Sequence, residues 1–174
     1  LCAVFVSSVD ASYIFRKSFD YSQFEASYSY EALSENITSF TATLEWGLTF
    51  NSSGTTVSVG FSEGKNASVW YPALMLIFMK SENVLQINIY HTVNSYYTIG
   101  SGTRDENDTV IVTYKNNGFT VKSGNTTIIN VYPYEIDIYG ICYKEGPDQG
   151  VTDGYLVVSI QKSFSSSLDF DAWM

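Results

Sequence analysis

The sequence predicts an all-β protein, an antiparallel β-sandwich of about ten strands, and three observations predict it. Apolar and polar residues alternate with period two over whole segments. The apolar segments are rich in β-branched and aromatic residues, and turn-forming residues interrupt them at intervals of roughly 8–12 residues. Helix signals are almost absent, since no capping box opens a run of helical period.

Residues 38–50 carry the clearest signal. Phe40, Ala42, Leu44, Trp46, Leu48 and Phe50 alternate with Ser39, Thr41, Thr43, Glu45, Gly47 and Thr49. A helix would scatter those apolar groups around its axis, so the pattern requires a pleated strand with one buried face. After the turn at 51–54, Val57, Val59 and Phe61 repeat the alternation, which predicts a hairpin between the two segments. The run Ala73–Met79 is apolar at both parities, as in a strand covered on each side. Leu85, Ile87 and Ile89 alternate again, continued by His91 and Val93. A strand over Val110–Tyr114 meets Asn116-Asn117-Gly118, residues that accept the positive φ of a tight hairpin, and the chain returns through Phe119 and Val121. Gly124-Asn125 makes the next turn, into Ile128–Tyr132. Ile136, Ile138, Gly140 and Cys142 then alternate, and Tyr155–Ile160 closes the series. Segments 16–36 and 144–153 read as longer connections, and 163–174 has no assigned state. Jelly-roll and immunoglobulin- or pilin-like connectivities are both compatible with this layout.

With 174 residues, no internal repeat and no linker, the expected organisation is an N-terminal strand over 1–9 and a single sandwich domain over 10–174. Hydrophobic residues make up 45% of the chain and aromatic residues 16%, which excludes a disordered protein. Charged residues are also only 16%, against about 25% in an average soluble domain. Ser, Thr and Asn fill the difference, a surface expected of an extracellular, cell-surface protein. The net charge is −9, and the nine basic residues gather no more densely than Arg16-Lys17. Nucleic acid and anionic membranes are therefore not expected partners. No stretch reaches the roughly 18 apolar residues of a membrane span. The opening Leu1–Val6 is read as part of the mature chain, with a signal peptide already removed.

N-x-Ser/Thr sequons occur at Asn36, Asn51, Asn66, Asn107 and Asn125, each in a turn or at the end of an assigned strand, where a glycan fits on the surface. Cys2 and Cys142 lie at opposite ends of the chain without CxxC spacing or a His companion, so a zinc site is not expected. A disulfide between them is the leading reading in an oxidising compartment. Two buried thiols, or a bridge between subunits, are the alternatives.

Reaction chemistry finds little support. His91 is the sole histidine and continues a strand alternation, so it reads as structural, and no nucleophile elbow accompanies it. A glycosidase pair could be drawn from Glu45, Glu135 and Asp137, but their parity places them outward. The acidic loops Arg104–Asp108 and Asp148–Asp153 could offer oxygen ligands to Ca²⁺ yet lack the spacing of a calcium loop. No enzyme activity is expected, and no cofactor beyond N-linked glycans. Tyr28, Tyr30, Tyr71, Tyr96, Tyr97 and Tyr132 could stack on sugars or simply fill β surfaces.

The N-terminal segment suggests assembly. Leu1–Val9 is apolar at both parities and could complete its own sheet or fill the edge of another subunit as a donor strand, through Leu1, Ala3, Val4, Phe5 and Val6. With that segment, five sequons, Tyr/Asn/Ser/Thr-rich strands and few charges, the chain resembles subunits of archaeal surface filaments of the thread type. The resemblance implies a glycosylated extracellular pilus subunit serving adhesion, its partners other copies of itself in a head-to-tail polymer. The alternative is a secreted, lectin-like jelly roll that binds surface glycans, because Thr109–Val131 reads like the paired strands of concanavalin-like domains.

Overall fold

The computed structural model describes residues 13–51, 54–105, 108–146 and 149–163, and these form fourteen strands. In chain order they are β1 (Tyr13–Asp20), β2 (Ser29–Ile37), β3 (Phe40–Trp46), β4 (Thr49–Phe50), β5 (Thr56–Ser62), β6 (Ala73–Met79) and β7 (Val84–Thr92). There follow β8 (Ser95–Thr103), β9 (Val110–Lys115), β10 (Gly118–Ser123), β11 (Thr126–Pro133), β12 (Ile138–Glu145), β13 (Val151–Asp153) and β14 (Tyr155–Lys162). Short 3-10 turns occupy Tyr21–Gln23 and Lys80–Glu82. One six-stranded antiparallel sheet has the order β1-β14-β3-β9-β10-β11, and the other β2-β12-β5-β6-β7-β8, while β4 and β13 pair by themselves. The antiparallel sandwich expected from the alternation is the architecture found.

The alternation decides which face meets the core. Phe40, Ala42 and Leu44 of β3 and Val110, Val112 and Tyr114 of β9 point into the gap from the first sheet. Val57, Val59 and Phe61 of β5, Leu74, Leu76 and Phe78 of β6, and Leu85, Ile87 and Ile89 of β7 point in from the second. Rings cross the gap: Phe40 lies 5.3 Å from Phe61, and Trp46 lies 6.0 Å from Phe78. Each such side chain contributes about 1.5–3 kcal/mol by leaving water, so this interface is the main source of stability.

Several expectations are corrected. The segment 38–50 is two strands, because Gly47 N–H turns to donate to Tyr155 O at 2.8 Å and β4 leaves to pair with β13. Nor does it form a hairpin with 57–61: β3 and β5 belong to opposite sheets and face each other through the core. Both segments alternate because both bury one face, and alternation does not reveal whether the partner lies beside or across. The connection assigned to 16–36 contains most of β1 and all of β2 but its last residue, and 144–153 contains the end of β12 and all of β13. The alternation 85–93 ends at Thr92; Val93 lies in an exposed turn, and the chain returns through β8, which had no assignment. The turn at Asn116-Asn117 is as expected, with φ of 52° and 54°.

Candidate functional site

The two outer faces of the sandwich differ in chemistry. On the first sheet the register aligns Thr41 of β3, Thr113 of β9 and Thr120 of β10 in one row of short hydroxyls. On the second sheet the outward positions include a large apolar and aromatic group. Ala73, Met75 and Ile77 of β6, Tyr90 of β7 and Cys142 of β12 form a cluster separate from the core, together with Tyr28, Tyr30, Trp70 and Tyr71.

Trp70 reaches this face because the connection between β5 and β6 folds back over it. Glu63 N–H donates to Pro72 O at 2.8 Å, the Ser62 hydroxyl donates to Trp70 O, and the Tyr30 phenol donates to Gly64 O at 2.8 Å. Trp70 is thereby buried over Met75 and Cys142. Rings then run across the face: Tyr28 lies 4.1 Å from Trp70, Trp70 lies 5.1 Å from Tyr90, and Tyr90 stacks on Tyr96 at 4.7 Å with 22° between planes. Tyr96, on the edge strand β8, is 54% exposed, so the row ends in a ring open to solvent and backed by a fixed neighbour.

A polar cluster borders that ring. The Asn88 side chain is buried, and its Oδ1 accepts from Gln86 Nε2 at 2.9 Å and from Thr98 Oγ1 at 2.9 Å. Gln86 Nε2 also donates to Thr98 Oγ1 at 3.2 Å. Because Asn88 pairs with Thr98, and Tyr90 with Tyr96, in the register of β7 and β8, amide, hydroxyl and ring occupy neighbouring rows of one face. Burial raises the Tyr28 and Tyr90 phenols, so both hold their protons at neutral pH. A fixed ring beside amides and hydroxyls can lie on an apolar ligand face while hydrogen-bonding its hydroxyls.

The remaining candidates separate. Of the sequence-selected tyrosines, Tyr28, Tyr30, Tyr71 and Tyr96 belong to this face, whereas Tyr97 and Tyr132 meet at the edge between the sheets, their phenol oxygens 3.3 Å apart. His91 is exposed at the end of β7, 5.3 Å from the Tyr97 ring. Glu45 is exposed on the outer face of the first sheet, opposite Val157. Glu135 and Asp137 lie near Glu63, whose carboxyl is raised by burial first and by Asp137 next. In the loop 104–108, Arg104 is buried against the rings of Trp46 and Phe78, 4.9 and 4.6 Å away, and its Nη2 donates to Asp108 O at 2.8 Å. Burial lowers that guanidinium to about 10, with Asp108 and Asp105 opposing the shift. Arg104 is thus held against core rings by the Asp108 carbonyl. Asp153 Oδ1 accepts from Gly154 N–H at 2.7 Å, and Asp148 lies outside the described residues. Among the described residues, no group of three or more His, Cys, Asp or Glu side chains is placed to hold a metal ion.

Asn36, Asn51, Asn66 and Asn125 are exposed, and Asn107 lies outside the described residues. Asn36 sits within β2 and not in a connection. Asn66 Oδ1 accepts from Ser68 N–H and Val69 N–H, each at 3.0 Å, which leaves Nδ2, the atom a glycan joins, out of both bonds. Cys142 is a buried thiol, raised by that burial, while Cys2 lies outside the described residues, as do the donor-strand positions Leu1, Ala3, Val4, Phe5 and Val6. Sequence reasoning missed Trp70, Tyr90, Gln86, Asn88 and Thr98. The available signal was the polar parity of β7, where Gln86, Asn88 and Tyr90 alternate with Leu85, Ile87 and Ile89.

No family model matches the chain, and no curated protein does. Solved structures do. A carbohydrate-binding module, CBM66, from Bacillus subtilis aligns with a TM-score of 0.53 and 9% identity over 79% of this chain and 81% of that one. The exo-inulinase of Aspergillus awamori aligns with a TM-score of 0.57 and 14% identity over 90% of this chain. A fructofuranosidase from Schwanniomyces occidentalis, solved with fructose, aligns with a TM-score of 0.54 and 10% identity over 87%. The chain spans only 30% and 34% of these two enzymes. At such identities the likeness defines the fold, that of the β-sandwiches found in carbohydrate-binding modules and in parts of glycoside-processing enzymes.

Proposed function

We propose that this protein is a non-catalytic carbohydrate-binding domain of the extracellular space, using the outer face of its second sheet. The carrying observation is the exposed Tyr96 ring, stacked on Tyr90 beside the Gln86–Asn88–Thr98 cluster. A pyranose stacks its C–H face on Tyr96 and directs its hydroxyls to Thr98, while the buried Asn88 holds the Thr98 and Gln86 side chains in place. The fold shared with a carbohydrate-binding module supports the reading, and exposed asparagines at four sequons support a secreted glycoprotein. The filament-subunit reading rests on residues 1–9, outside the described residues, and the ring-bearing face favours the binding module over it.

The test is a glycan array followed by titration of the best ligand. The wild type binds, and Tyr96→Ala weakens binding about tenfold, the loss of about 1.4 kcal/mol expected of one stacked ring. Tyr155→Ala, which removes an exposed ring from the first sheet, leaves affinity unchanged. Equal effects of the two substitutions, or no glycan bound, would reject the proposal.

A further inference from the structure

We infer that this face selects neutral oligosaccharides and discriminates against acidic and amine-bearing ones, an inference that rests on the carbohydrate reading above. Among the described residues, the outward positions of β5 to β8 carry no acid and no base, from the row Ser58–Ile77–Gln86–Ser101 to the row Ser62–Ala73–Tyr90–Tyr96. Among the described residues, Lys144 of β12 holds its Nζ 4.7 Å over the Tyr28 ring and Lys65 holds its Nζ 4.8 Å over the Tyr139 ring of β12, both away from the β7–β8 edge that carries Tyr96. Binding a uronate or sulfate beside Tyr96 would strip the anion of water with no cation among the described outward positions of β5 to β8 to receive it, and an ammonium would likewise meet no carboxylate among them. The net charge of −9 adds repulsion against anions at the scale of the Debye length, about 8 Å at physiological salt.

The same rows set a length. The register places Tyr90 opposite Tyr96 and Gln86 opposite Ser101, four residues apart along β7. That is roughly 14 Å of strand, more than one sugar ring covers. The ligand is therefore an uncharged oligosaccharide lying along β7 and β8, its first ring on Tyr96 and a later one beside Gln86 and Ser101.

The experiment titrates the intact protein with oligosaccharides of one length in neutral, uronate-bearing, sulfated and amine-bearing forms, at low and high salt. The expected result is binding of the neutral form, at least about tenfold weaker binding of each charged form, and a neutral-ligand affinity that changes less than about twofold with salt. Gln86→Ala weakens the neutral oligosaccharide about tenfold and leaves its monosaccharide unchanged, while the melting temperature reports whether the variant is folded. A charged form bound as tightly as the neutral one, or a steep salt dependence, overturns the selectivity and leaves the carbohydrate function standing. Binding of no form at all, where a control lectin binds, removes the carbohydrate function itself and this inference with it.

Discussion

Gly60 has no room for a side chain: a Cβ there would lie 2.6 Å from Cys142 Sγ and 2.8 Å from Met75 Cε. Its absence lets those two groups lie side by side beneath Trp70, and so gives the ring row its floor. Gly60→Ala should destabilise the protein by about 1–3 kcal/mol, the usual cost of overpacking, with a melting temperature lower by roughly 2–12 °C. An unchanged melting temperature would mean that the outer cluster yields freely and does not brace the face. At this scale the sequence was informative about tyrosines and silent about their support. Tyr28, Tyr30, Tyr71 and Tyr96 could be selected because a β surface rich in Tyr is itself a signal. Trp70 could not, because it sits in a connection whose path depends on Ser62 and Tyr30 reaching its backbone neighbourhood.

Among the elements, the β9–β10 hairpin was fully legible, since Asn116 and Asn117 both adopt positive φ and little else in the alphabet does so cheaply. Asn117→Ala should therefore cost about 1–2 kcal/mol, read as a fall of roughly 2–8 °C in melting temperature, and Asn117→Gly should cost nothing. Similar losses in both variants would show that the asparagine side chain, not the backbone, holds the turn. The edge strands were illegible for a physical reason. β8 reads as Ser, Tyr, Thr and Gly because one of its edges is wet and its inner face must let another strand approach. A Cβ at Gly100 would lie 2.9 Å from Ile129, and one at Gly102 would lie 3.2 Å from Ile128, both on β11 of the other sheet. Glycines that permit this contact look in sequence like a loop. β1 and β2 are mostly half-buried or exposed, without a regular two-residue alternation, so hydrophobic periodicity cannot find them.

Over the whole molecule, period-two alternation was enough to specify two packed sheets but not their connectivity, since β3 and β5 carry the same pattern and lie in different sheets. Nor could it distinguish the outer faces, which depend on which strands become neighbours. Only the assembled register gathers Tyr90, Tyr96, Asn88 and Thr98 on one side and a row of threonines on the other. The two faces should therefore behave differently toward one ligand, and backbone amide chemical shifts resolve them in one titration. With a neutral oligosaccharide, the account predicts saturable shifts at Gln86, Asn88, Tyr90, Tyr96 and Thr98, and none at Thr41, Thr113 and Thr120. Shifts centred on the threonine row, or no shifts with any saccharide, would contradict it.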